Sequence, residues 1–377
     1  MKVKQLAKIT AINLLLIGAG VLLFEAGLQI VAFLRPSYSV LFLKPDPDLG
    51  WKMVPNYKWK WAGNHWYANA FSLDVQSNSL GFRGAEIKEE KSPGTVRVAM
   101  IGDSFIEAIQ VPLEQTATKV TEKILNSLGY DNKWEFLNFG ISNYGIGQYL
   151  LVWNKYVSKY SPGYVVFIIS DLQMKRTISS HEAGAFANTK KDLLSIRPVF
   201  TLSETGDLNF EPATDYRQFA ELQKGLINTY FDGHRSKRKQ HGLLLPKYLE
   251  AIIFRLNYKL TGVKGAPNSA SSELDYVHKV NYLLIQELAK QVSSSGSKLI
   301  MLDASKHLGD PSSTSDFLEK TSLDLGIHYI PIYKNLLKSD RSGQPTTFHT
   351  DGHYNILGNS IVAEILATKI KELADQN

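Results

Sequence analysis

The stretch Val96–Ala108, VRVAMIGDSFIEA, decides the fold. Arg97 to Ile101 begins by alternating polar and apolar residues and then turns wholly apolar, as an interior strand does. Gly102 and Asp103 are turn formers, and Phe105, Ile106 and Ile109 fall at helical spacing. Ser104 therefore stands where a buried strand gives way to a helix. Its hydroxyl is exposed at the strand's C-terminal end. Its N–H lies beside a helix N-terminus, where developing negative charge is favoured. On these residues alone, Ser104 reads equally as a nucleophile and as an N-cap after a tight turn.

The far end of the chain weighs on that choice. Phe348–Asn359, FHTDGHYNILGN, runs into an apolar-periodic terminal helix, with Asn355 placed to cap it. A serine nucleophile needs a base, and the base needs a carboxylate to fix its tautomer and stabilise the imidazolium. His353 and Asp351 can supply both from one short loop. Alone, the pair also reads as a turn aspartate beside a surface imidazole; with Gly102-Asp103-Ser104 upstream, the triad becomes the better reading.

These blocks resemble the SGNH (GDSL-type) hydrolases of the membrane-anchored bacterial kind, which include esterases and acetyltransferases acting on secreted polysaccharides. The first block is matched by Gly102, Asp103, Ser104 and Phe105. The second is matched by Leu137-Asn138-Phe139-Gly140, continuing through Asn143 to Gln148, and the last by Asp351, His353, Asn355 and Gly358. Asp46-Pro47-Asp48-Leu49-Gly50-Trp51 and Asn78-Ser79-Leu80-Gly81-Phe82-Arg83 also resemble a lead-in seen in such proteins. The resemblance implies a three-layer α/β/α fold with a parallel, flavodoxin-like sheet. It implies catalytic Ser104, Asp351 and His353, and an oxyanion hole from Ser104, Gly140 and Ser170, with no cofactor. Two departures stand out. The strand Tyr164–Ile169 ends in Ser170-Asp171, where the family carries Asn-Asp and uses the Asn as an oxyanion donor. The Asp-Gly-His spacing is one residue tighter than the family's common Asp-x-x-His. Losing one oxyanion donor costs on the order of 100- to 1,000-fold in turnover; Asn143 would compensate if its loop folds back.

The 377 residues suffice for one large or two modest domains. There are no cysteines, so disulfides and thiolate metal sites are excluded. The net charge of +6 is modest for this length and forms no arginine-rich stripe, which argues against nucleic acid as a partner. The one dense basic run, His234 to His241, reads as a solvated loop or, less favourably, as a contact for anionic lipid or polymer.

From Ile9 to Leu34 the only ionisable side chain is Glu25, and the span is long enough for a bilayer core. Lys2, Lys4 and Lys8 precede it, which places the N-terminus inside and the rest outside. The expectation is an uncleaved single-pass anchor in the bacterial inner membrane with an extracytoplasmic catalytic domain. Ser37-Tyr38-Ser39 keeps a cleaved signal sequence open. Glu25 is either a neutral acid tolerated near the outer half or a contact to a partner helix.

In Tyr57-Lys58-Trp59-Lys60-Trp61 the rings fall on one face and the lysines on the other, a strand period. Trp66, Tyr67 and Phe71 follow. Such rings can stack on sugars, and Trp59, Trp61 and Asn143 are the candidate substrate contacts. Burial of the rings against the core, or a place at the membrane interface, is the more ordinary reading.

Beyond Thr95, strands and helices alternate: a strand to Ile101, a helix through Leu125, a strand at Trp134–Asn138, a helix at Gln148–Tyr160, and a strand to Ile169. Later come a helix at Glu273–Ser293, the strand Lys298–Asp303, a helix at Thr314–Leu325, the strand His328–Ile332, and the terminal helix. This pattern predicts a parallel sheet covered on both faces, with reactive residues at strand C-terminal ends. Between them, Arg197–Leu202 and Leu208–Phe210 read as a hairpin through Gly206-Asp207, Phe219–Tyr230 and Leu245–Leu260 as helices, and Gly262–Ser272 as a linker. The expected segments are 1–36 tip and anchor, 37–94 aromatic lead-in, 95–175 and 273–377 the two parts of the SGNH-like domain, and 176–272 an inserted cap.

The chemistry expected is acyl transfer to water or to a sugar hydroxyl, on an acylated carbohydrate or other envelope ester, with envelope polysaccharide machinery as a partner. Two rivals stay open. His349, Asp351 and His353 alternate and would face one way on an extended segment, as metal ligands do. A weakly catalytic glycan-binding or scaffold subunit would also accommodate the missing Asn.

Overall fold

In a computed structural model, residues 3–34, 42–62, 71–179, 181–183, 194–213, 245, 271–310, 312–348 and 351–376 are described. The chain divides into two compact units, one of 1–37 with 228–265 and the other of 38–227 with 266–377. The first contains α1 (Val3–Leu34), whose span Lys8–Ile30 is long and apolar enough to cross a membrane; a signal sequence has the same properties. Glu25 does not stand bare on this helix. Its carboxylate accepts from Gln29 Nε2 (2.6 Å) and from the Leu245 backbone N–H (2.8 Å).

The second unit opens with two hairpins. They are β1 (Leu43–Asp46) with β2 (Gly50–Met53), and β3 (Lys58–Ala62) with β4 (Ser72–Gln76). The parallel sheet follows, from β5 (Thr95–Gly102), β6 (Lys133–Gly140) and β7 (Tyr164–Ile169). Between them run α2 (Ser104–Glu107), α3 (Ala117–Asn126) and α4 (Ile146–Lys155), and α5 (Asp171–Thr177) comes after β7. Two short antiparallel pairs are next, β8 (His181–Ala183) with β9 (Leu194–Ile196) and β10 (Val199–Leu202) with β11 (Leu208–Glu211). The chain ends with α6 (Ser271–Ser294), β12 (Lys298–Asp303), α7 (Ser312–Leu325), β13 (His328–Ile330), α8 (Tyr333–Arg341) and α9 (Ile356–Ala374).

The main sheet has the order β13-β12-β7-β5-β6, all parallel. Counted along the chain this is 2-1-3-4-5, the flavodoxin-like order, whose switch point lies between the first and third strands. Alternate residues serve opposite layers. Ala99, Ile101, Val165, Phe167, Leu299 and Met301 pack with α4 and α6, whereas Val98, Met100, Val166, Ile168, Ile300 and Leu302 pack with α3, α8 and α9. This is the three-layer α/β/α architecture. Arg97, at the start of β5, is 1% exposed and fully engaged: it bonds Glu135 at 2.6 Å and the carbonyls of Lys88, Glu89, Glu90 and Tyr160. A buried guanidinium is tolerable only with such pairing.

The expected helix from Phe105 to Leu125 is broken. It stops after Glu107, Ala108 takes a left-handed φ of 50°, and α3 begins only at Ala117. The buried Arg83 explains the break, because its guanidinium gathers the carbonyls of Glu107, Ala108 and Val111 that a continuing helix would have used. The Arg197–Phe210 hairpin forms through Gly206, at φ 87°. The expected helices at Phe219–Tyr230 and Leu245–Leu260 and the linker Gly262–Ser272 lie essentially outside the described residues. So do the basic run His234–His241, Ser37–Ser39, Trp66, Tyr67 and His349.

Candidate active site

Strand β5 delivers Ser104 to the switch point. The preceding Asp103 caps α2, its carboxylate accepting from the Phe105 N–H (3.1 Å), from Gln173 Nε2 (2.6 Å) and from Arg176 Nη1 (2.9 Å). Three donors hold the turn from which Ser104 projects. As the first residue of α2, Ser104 keeps an N–H with no partner inside the helix.

The loop before α9 brings His353. His353 Nε2 lies 2.8 Å from Ser104 Oγ, and its Nδ1 is hydrogen-bonded to Asp351 Oδ1. Gly352, at φ 81°, reverses the chain between the two residues. Only glycine adopts that conformation without penalty, so the tight Asp-Gly-His spacing is what lets the carboxylate reach back to its own loop's imidazole. The loop is pinned on both sides. Phe348 N–H donates to the His353 carbonyl (2.9 Å), Phe105 packs against the His353 and Tyr354 rings, and Asn355 caps α9 through the Gly358 N–H (3.0 Å).

Burial works against a charged His353, but the Asp351 hydrogen bond and the charges of Asp351, Asp103 and Glu107 outweigh it, so its pKa stands above the ordinary 6.5. Glu107 shows the opposite balance. It is fully buried at the end of α2, and desolvation pushes its carboxyl up to about 7 despite the Ser142 hydrogen bonds and the nearby His353 and Arg83 charges. The sequence reading missed this residue, although its place three positions after Ser104 puts it on the same helical face.

Two of the three expected oxyanion donors have partners of their own. Gly140 N–H donates to Asn138 Oδ1 (2.9 Å), and what Gly140 supplies is space: a Cβ there would sit 2.3 Å from the Glu107 nitrogen. Ser170 is fully buried; its hydroxyl donates to Gln173 Oε1 and accepts from the Leu172 N–H as the cap of α5. Its proton is committed elsewhere, so the shorter side chain at this position is a helix cap.

Asn143 occupies the other side of the turn, in a left-handed conformation at φ 65°. Arg176 Nη2 donates to its Oδ1 (3.2 Å), and Arg197 Nη2 to its carbonyl (3.2 Å). The neighbouring Ser142 donates its hydroxyl to Glu107 Oε2, and its carbonyl accepts from Trp51 Nε1 (3.0 Å). Arg176 thus ties Asn143 and Asp103, the residue before Ser104, to one guanidinium. With its oxygen held by a cation, the amide's nitrogen is oriented the other way as a donor. Gln173, Arg176, Arg197 and Trp51 were not legible as site residues: they act from α5, from the β9–β10 connection and from β2.

Trp59 is 5% exposed and stacks with Phe42 (5.0 Å between ring centroids) and Tyr57, and Trp61 packs edge-on against Phe42. These rings belong to the core of the lead-in, and Trp59 is not presented to a substrate. Among the described residues no group of three or more His, Cys, Asp or Glu is arranged to hold a metal ion; His349 lies outside them.

The sequence matches no protein-family profile and no curated protein. Solved structures similar to it include acetyl xylan esterases and a putative GDSL-like lipase. The acetyl xylan esterase AlAXEase aligns over 73% of this chain and 100% of its own, at 14% identity and a TM-score of 0.40. A catalytic mutant of Axe2, an acetylxylan esterase from Geobacillus stearothermophilus, covers 75% and 96% at 10% identity and 0.39. The psychrotrophic esterase EstA from Pseudoalteromonas sp. covers 74% and 98% at 10% identity and 0.38. The chemistry rests on the side chains above.

Proposed function

We propose that this chain is a serine-dependent esterase or O-acyltransferase of SGNH type, acting on an acylated carbohydrate or other cell-envelope ester. The observation that carries the reading is the 2.8 Å contact between His353 Nε2 and Ser104 Oγ, with Asp351 on the far side of the imidazole. In the forward step His353 takes the Ser104 proton as Oγ attacks the ester carbonyl. Asp351 holds Nδ1 and offsets the imidazolium charge. The oxyanion meets Ser104 N–H and the Asn143 amide nitrogen, which takes over the part of the family's missing Asn. His353 then protonates the departing alcohol, leaving an acyl-Ser104. Water releases the acid; a sugar hydroxyl carries the acyl group onward.

In the expected cap, the described residues 194–213 lie beside this site and would help select the substrate. Arg197 supports that assignment by holding the Asn143 carbonyl, and Phe200 by packing so closely on Gly147 that a Cβ there would lie 2.3 Å from its ring. We also assign α1 as an inner-membrane anchor with the domain outside, a reading supported by its apolar span and by Lys2, Lys4 and Lys8 ahead of it.

The test is turnover of an aryl acetate by the full chain in detergent, with and without oligosaccharide acceptors. Release of acetate that stops in Ser104→Ala supports an esterase, and acetylated oligosaccharide supports a transferase. The engaged Gly140 N–H and Ser170 hydroxyl favour one alternative, a weakly catalytic glycan-binding or scaffold subunit. It predicts glycan binding that survives Ser104→Ala, with no turnover in the parent.

A further inference from the structure

Glu107 has no place in a Ser-His-Asp mechanism, yet it sits at the heart of this one. Helix α2 carries Ser104 at its start and Glu107 at its end, and the terminal glycine of β6 presses directly on the Glu107 backbone. Its side chain is fully buried. Oε2 takes the Ser142 hydroxyl proton, and among the described residues Oε1 has no hydrogen-bond partner. Arg83, a cation that bears on it, spends its guanidinium on the carbonyls of Glu107, Ala108 and Val111.

A buried carboxyl with one oxygen unpartnered and no paired cation is costly, and packing alone would be served better by an apolar residue. Its electrostatic neighbours are few. Arg83, His353 and Tyr144 bear on Glu107, while Asp351, Asp103 and Glu107 bear on His353. Asp103 is already matched by Arg176 and Gln173, and Asp351 by the imidazole itself. Of the three carboxylates that bear on His353, Glu107 is the one with no hydrogen-bonded cation or imidazole among the described residues.

We propose that Glu107 is a second acidic partner of the Ser104–His353 pair, a positioning residue that fastens the Ser142–Asn143 loop to the nucleophile's helix and faces the imidazolium formed when His353 takes the serine proton. The proposal rests on the serine mechanism above. It gives Glu107 two separable duties, one geometric through Ser142 and one electrostatic through His353. Because the two groups interact, they titrate as a pair.

The test is the rate at which a fluorophosphonate labels Ser104 in the full chain in detergent, followed from pH 5 to 9. Glu107→Gln keeps an acceptor for Ser142 but removes the charge, so the labelling midpoint should fall by about one pH unit. Ser142→Ala leaves the carboxyl in place but removes its tie to the loop, so the plateau rate should fall. A Glu107→Gln profile superimposable on that of the parent, with folding verified by circular dichroism, would overturn the proposal. So would a Ser142→Ala plateau equal to the parent's. A parent that never labels would overturn the serine mechanism itself, and this proposal with it.

Discussion

His353 Nε2 stands 2.8 Å from Ser104 Oγ across 249 positions of sequence, and Phe105, the residue after the nucleophile, packs against the same imidazole. The imidazole is thus held by the helix that carries Ser104 as well as by its own loop. Either partner alone is inert in such an arrangement. Ser104→Ala and His353→Ala should each lower ester turnover on the order of ten-thousand-fold or more, with unchanged circular dichroism.

Asp351 fixes the imidazole through Nδ1. Asp351→Asn keeps the shape but favours the wrong tautomer. Turnover should fall on the order of 1,000- to 10,000-fold while substrate affinity, read as KM, stays near the parent's. A large KM change with kcat preserved would contradict the role.

The oxyanion assignment separates two residues that the family resemblance would rank in the reverse order. Asn143→Ala should cost on the order of 100-fold or more in kcat. Ser170→Ala removes a helix cap, so it should lower stability by about 1 kcal/mol with a much smaller effect on kcat. Urea denaturation and steady-state kinetics on both variants check this.

Only neutral His353 can accept the serine proton. Its pKa lies above 6.5, so turnover should rise with pH and reach half its maximum above that value. A midpoint below 6.5 would mean that burial dominates over the surrounding carboxylates.

Glu107 sets a stability window. The folded protein keeps its proton up to about pH 7, whereas an unfolded glutamate releases it near 4.5. Folding therefore takes up a proton in that window, and stability falls as pH rises through it. Glu107→Gln should escape the effect, gaining on the order of 3 kcal/mol relative to the parent between pH 4.5 and 8. Denaturation of both proteins at the two pH values reads the difference.

The strand-to-helix turn at Ser104 and the loop of Asp351 and His353 were legible because each is local: a run of apolar residues, two turn formers, a cap. The parallel sheet covered on both faces followed from alternation, and its flavodoxin-like order from the resemblance. What stayed hidden depends on partners from elsewhere in the chain. The break after Glu107 is imposed by Arg83, and the Ser170 hydroxyl is claimed by Gln173 one helical turn away. The two-residue period of Trp59 and Trp61 gave their shared face, but only tertiary packing shows that Phe42 covers it. Asn143 reaches the site through a left-handed turn and two arginines, neither of which its own neighbourhood announces.

The most direct measurement treats the full chain in detergent with a fluorophosphonate and locates the adduct by peptide mass spectrometry. The account predicts a single adduct on Ser104 that is lost in both Ser104→Ala and His353→Ala. A folded parent that carries no adduct, or one that labels equally well without His353, would contradict it.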